Sequence, residues 1–116
     1  MKRETRAFVC AAALLAWTAC SDGGSERTDD DAWARGQKVY KNVCVACHNP
    51  DPSLKGTLGP PIAGSWRELV EARVVRAAYP DGYQPKLPSR AMPAMPHLAG
   101  SIDDLTAFLN DRRDGS

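Results

Sequence analysis

"CVACH", Cys44 to His48, is the stretch on which the rest of the chain turns. Two thiols three residues apart and an imidazole directly after them admit four chemistries: a metal site, a reversible dithiol, a structural disulfide or the anchorage of a prosthetic group. Immediately upstream, "DAWARGQKVYKNV" (31–43) spaces Trp33, Val39, Tyr40 and Val43 mostly three to four residues apart. With Asp31 as an N-cap, this predicts a helix over 32–46 that carries the motif at its end. Immediately downstream, "NPDPSLKGTLGPPIAG" (49–64) holds four prolines and three glycines in 16 residues and reads as loop.

Further out the pattern stays helical. Ser65 and Glu68 form a capping-box pattern ahead of Leu69, Val70, Val74 and Val75, which predicts a second helix ending before "YPDGY" (79–83). "QPKLPSRAMPAMPHLAG" (84–100) is too rich in proline for regular structure. A third helix follows, with Ser101 as its cap, Ile102, Leu105, Phe108 and Leu109 on one face, and Arg112 and Arg113 at its carboxyl end. No period-two strand pattern and no internal repeat competes, so the expected class is all-α: about three main helices joined by long loops.

The chain has 116 residues, room for one domain, and its start reads as an address. Lys2, Arg3 and Arg6 precede an apolar run of 11 residues, Ala7 to Trp17, well short of the about 20 that a membrane-spanning helix needs. The run ends at "TAC" (18–20), which resembles a lipobox with Cys20 as the acylated first residue of the exported protein, although Trp17 stands where an aliphatic residue is usual. The expected organisation is a signal peptide over 1–19, a flexible acidic tether over 20–31 and a folded domain over 32–116. Its eleven residues 21–31 span roughly 18 Å as a random coil, which would keep a lipid-anchored domain near the membrane. From Ala32 onward eleven Lys and Arg face eight Asp and Glu, a net +3. That is far from the dense basic stripe that nucleic-acid binding requires.

Export leaves Cys44 and Cys47 as the cysteines of the folded part, too few for a disulfide-stapled mini-domain. Structural zinc needs four ligands, and only Cys44, Cys47, His48 and the distant His97 offer themselves. A thioredoxin-like dithiol expects a βαβ setting that is missing here. A structural disulfide gives His48 no role. Covalent haem attachment uses all three residues, each thiol adding across one vinyl group while the imidazole becomes the proximal iron ligand.

From Ala32 to about Arg113 the chain resembles the class I c-type cytochromes. Gly36 and Tyr40 resemble the glycine and aromatic of that family's first helix, and Phe108 the aromatic of its last, where the missing side chain lets the two helices cross closely. "GPPIAG" (59–64) resembles the family's Gly-Pro-x-Leu-x-Gly loop, in which the proline matching Pro60 packs on the imidazole and its carbonyl accepts the imidazole proton. "MPAMP" (92–96) resembles the loop that brings a methionine to the other face of the iron.

The resemblance implies a small cytochrome c-like fold wrapped around one covalently bound haem c. It implies Cys44 and Cys47 as the attachment points, His48 and Met92 as axial ligands with Met95 the alternative, and Pro60, Ile62, Met95, Trp66 and Tyr79 as cofactor contacts. With both axial positions filled, the expected activity is one-electron transfer between redox protein partners in an extracytoplasmic chain, with no catalysis of its own. Two other readings remain open from the sequence. One is a haem sensor or peroxidase-like domain with a displaceable sixth ligand, and the other a fixed cytochrome subunit of a larger membrane oxidoreductase.

Overall fold

The computed structural model describes residues 28–87 and 89–111. The expected signal peptide, Cys20, most of the tether, and Arg112 and Arg113 lie outside the described residues. Among those described, three α-helices and two short 3-10 segments account for all regular structure, in the small cytochrome c-like, all-α arrangement expected: α1 (Asp29–Val43), a 3-10 turn (Cys44–Ala46), α2 (Arg67–Arg76), a 3-10 segment (Pro96–Ser101) and α3 (Ile102–Asn110).

Helix α1 opens three residues earlier than the periodicity predicts, so the last part of the expected tether is its first turn. The cap is Thr28, not Asp31: its hydroxyl accepts the Asp31 N–H at 3.3 Å. Asp29, Asp30 and Asp31 then sit where the positive end of the helix dipole favours carboxylates.

Helix α3 crosses α1 at Gly36. A Cβ on Gly36 would overlap the Asp104 carbonyl and stand 2.9 Å from Phe108 Cβ, so hydrogen is the side chain this crossing admits. The approach seats Phe108 between Trp33 and Tyr40, with ring centroids 5.6 and 5.1 Å apart. Beside it Arg35 grips Asp104 through two parallel hydrogen bonds of 2.9 Å, the fork geometry that suits guanidinium and carboxylate. Ile102, Leu105, Phe108 and Leu109 are all buried, as their shared face predicts, and with Tyr40, Val70, Val74 and Leu98 they form the core.

Helix α2 begins differently from expectation. Trp66 occupies its N-cap position without a side-chain cap, because the Ser65 hydroxyl donates instead to the Ile62 carbonyl at 2.7 Å. The helix ends at Ala77, which adopts left-handed φ 51, ψ 32 while the Ala77 and Ala78 N–H groups bond back to Arg73 and Ala72. The proline-rich stretch before α3 is less irregular than predicted. Pro96 starts a 3-10 segment at a position where its missing N–H costs nothing. Ser101 precedes α3 but makes no side-chain cap.

Candidate functional site

The motif leaves α1 through the 3-10 turn, with Cys47 N–H and His48 N–H both donating to the Cys44 carbonyl at 3.1 and 2.9 Å. This holds the two cysteines one turn apart. Both are free thiols. Burial pushes the Cys44 thiol up to about 11, so it is protonated at neutral pH.

The loop after the motif folds back on it. Leu58 N–H and Gly59 N–H both donate to the Cys47 carbonyl at 3.0 Å, and Gly56 N–H donates to the Gly59 carbonyl at 3.0 Å. The buried Tyr40 hydroxyl donates to the Asn49 carbonyl at 2.6 Å, tying the loop's start to α1. Ile62 and Ala63 N–H groups close its end on the Pro52 carbonyl.

The product of this folding is the seat of His48. Gly59 lies so close to the imidazole that a Cβ there would overlap Cε1 and Nδ1. The Pro60 carbonyl oxygen stands 3.2 Å from His48 Nδ1. A carbonyl only accepts, so Nδ1 is the protonated nitrogen and the lone pair belongs to Nε2. Burial lowers the imidazole's pKa, with the Pro60 bond working the other way. A neutral imidazole with a free Nε2 is the protonation state a metal ligand requires.

Cys47 and His48 open onto a cleft that reaches solvent. Its walls come from the loop (Leu58, Gly59, Pro60, Ile62), from α2 (Leu69, Val70, Arg73, Val74), from the segment 79–92 (Tyr79, Tyr83, Lys86, Leu87, Met92) and from Leu109. Pro60, Ile62, Tyr79 and Met92 thus join Cys47 and His48 around one space. Cys44 is half-buried against the apolar core.

Two other sequence candidates stand outside that lining. Met95 packs against the core and is pinned by its backbone, its N–H donating to the Val74 carbonyl at 2.6 Å. Trp66 is exposed, its ring edge-on to Tyr83 at 5.5 Å. Sequence reasoning passed over Gly59, although the quoted loop contains it, and it passed over Arg73, Tyr83 and Lys86. Their grouping depends on how the segment after Ala77 returns over α2, which no local pattern encodes.

The site matches a covalently attached haem on its own geometry. It offers a glycine-floored imidazole with its outer nitrogen free, two reduced thiols one turn apart and a largely apolar cleft beside them. Among the described residues, no three His, Cys, Asp or Glu side chains converge as a group that could hold a bare metal ion. No helix among them is long and apolar enough to cross a membrane.

No curated protein and no solved structure matches the chain significantly. Residues 31–109, most of the chain, match the family described as cytochrome c oxidase, cbb3-type, subunit III, and the chain therefore belongs to that family as a mono-haem c-type cytochrome carrying haem c.

Proposed function

We propose that the domain is a one-electron carrier of an exported respiratory or redox chain, its iron held between His48 and Met92. The observation that carries the ligand pair is that His48 and Met92 line the same cleft, whereas Met95 and His97 do not. Haem, when bound, supplies a reversible one-electron change at its iron. The chain's own residues determine how that change is used.

His48 offers Nε2 while its Nδ1–H is held by Pro60, a bond that fixes the ring and makes the ligand more electron-rich. Met92 offers a thioether, a soft neutral ligand that favours the reduced state. Ile62, Leu69, Val70, Val74 and Leu109 make much of the cleft wall apolar, which would favour the less charged, reduced state of a haem held there. If His48 and Met92 both held the iron, no coordination site would remain for a substrate, which argues for a carrier over a sensor or peroxidase. Met92→Ala should lose the weak long-wavelength band of methionine-bound ferric haem, and Met95→Ala should keep it. The reverse outcome exchanges the two roles.

A second reading, a fixed subunit of a membrane oxidase, is favoured by the description of the matching family. It predicts that the protein purifies in a stable complex with an integral-membrane partner, whereas a free carrier purifies alone. Acylation at Cys20 would serve either reading by holding the domain near the membrane. Mass spectrometry of the mature amino terminus should find a lipid there, and an unmodified terminus would remove the anchor.

A further inference from the structure

The stretch that carries Met92 makes few bonds of its own. Residues 84–94 include Pro85, Pro88 and Pro93, which have no N–H to donate. Among the described residues, the one hydrogen bond within this stretch runs from Ala91 N–H to the Ser89 hydroxyl at 3.1 Å. A stretch so poor in internal bonds takes its position from its attachments to the rest of the fold.

Two of those attachments lie on α2. Before the stretch, Tyr79 stacks on Tyr83 at 5.3 Å, Arg73 of α2 lies 4.3 Å over the Tyr79 ring, and Trp66 meets Tyr83 edge-on. After it, Met95 N–H donates to the Val74 carbonyl of α2 at 2.6 Å. The third attachment crosses to the loop that seats His48: Lys86 Nζ donates to the Pro61 carbonyl at 2.7 Å. Among the described residues, this is the one hydrogen bond that joins 84–94 to the rest of the chain.

The acceptor is well placed. The Pro60 carbonyl takes the His48 Nδ1–H at 3.2 Å, and the very next carbonyl takes Lys86, so one turn serves both sides of the cleft. Two adjacent pyrrolidine rings stiffen that turn, and the Ile62 and Ala63 N–H groups fix its far end on the Pro52 carbonyl. Met92 is thus carried between Lys86, tied to the loop of His48, and Met95, tied to α2.

We propose that Lys86 is a positioning residue for the sixth ligand: its bond to Pro61 braces the Met92 stretch against the loop that seats His48 and sets how often the iron is open to a small molecule. The assignment rests on the haem-carrier reading above. Without the brace the stretch keeps its attachments to α2 but loses its hydrogen bond to the His48 side, so Met92 leaves the iron more often. The apparent affinity of an outside ligand scales with the fraction of molecules that are open. One hydrogen bond at an exposed site changes that fraction by about fivefold.

The test titrates the ferric holoprotein with external imidazole, followed by loss of the methionine band, in the wild type, Lys86→Ala, Lys86→Gln, Lys86→Arg and Lys55→Ala. Amide hydrogen exchange on the same proteins gives a readout independent of the iron's spectrum. The wild type is measured first: absence of covalent haem or of the ferric methionine band there would overturn the carrier reading and this assignment with it. Given that band, Lys86→Ala and Lys86→Gln, whose amide ends one atom short, should each bind imidazole about fivefold more tightly. The amides of Ala91, Met92 and Ala94 should exchange correspondingly faster in both, with α1 and α3 unchanged. Lys86→Arg keeps a donor at that reach and should stay within about twofold of the wild type. Lys55→Ala removes the same charge from another exposed position and should not move. Wild-type affinity and exchange in Lys86→Ala and Lys86→Gln would overturn the assignment, given the band in the wild type. So would an equal gain in Lys55→Ala, or faster exchange spread through α1 and α3.

Discussion

Replacing Gly36 with alanine adds one methyl group at the point where α1 crosses α3, and two opposing effects decide the outcome. Alanine gains about 1 kcal/mol over glycine in a helix interior. Against this, the new Cβ would overlap the Asp104 carbonyl and approach Phe108 Cβ to 2.9 Å. The obstructing atoms belong largely to the backbone of α3, so no rotamer change relieves the overlap and the helices must separate. Overpacking of this kind typically costs about 1–3 kcal/mol. Separation also loosens the Arg35–Asp104 fork, which puts the cost at the upper end of that range. The net expectation is a loss of roughly 2 kcal/mol, which for a domain of this size lowers Tm by about 8–16 °C. Thermal unfolding followed by far-UV circular dichroism measures it, with Gly100→Ala as the control because a Cβ there meets nothing within 4 Å. A Gly36→Ala protein as stable as the wild type would refute the claim that the close crossing constrains this position.

Other substitutions probe the seat of the ligand and the ends of the helices. Gly59→Ala pushes against the His48 ring and should draw the Pro60 carbonyl away from Nδ1; the less electron-rich imidazole then raises the midpoint potential, read by optical titration. Ala77→Gly should raise stability by about 1 kcal/mol, since Ala77 holds a left-handed conformation that glycine adopts freely; urea titration shows whether it does. Replacing Cys44 and Cys47 together with alanine should abolish haem staining after denaturing electrophoresis and leave the chain largely unfolded, because so small a domain has little core besides its cofactor contacts.

The parts of the site legible in the sequence were those fixed by local chemistry. Cys44, Cys47 and His48 announce themselves because two thiols and an imidazole at that spacing have few uses. The buried face of α3 is legible because helical periodicity and burial coincide there. Where two local signals compete, the sequence reading slips. Thr28 outcompetes Asp31 as the cap of α1, and Ser65 matches a capping box yet spends its hydroxyl on the Ile62 carbonyl. Met92 and Met95, both followed by proline, look alike in sequence; that Met92 lines the cleft and Met95 does not becomes visible only once α2 is in place. For the same reason the stack of Arg73, Tyr79, Tyr83 and Trp66 is invisible before folding, since it depends on the left-handed turn at Ala77 that returns the chain over α2.

The central claim is that the bound iron changes oxidation state without opening a coordination site, and an anaerobic optical redox titration of the wild-type holoprotein tests it most directly. The account predicts a single reversible one-electron step between ferric and ferrous forms that are both six-coordinate and low-spin, with the methionine band present in the ferric form. A five-coordinate, high-spin ferrous form, or the absence of a reversible one-electron step, would contradict it.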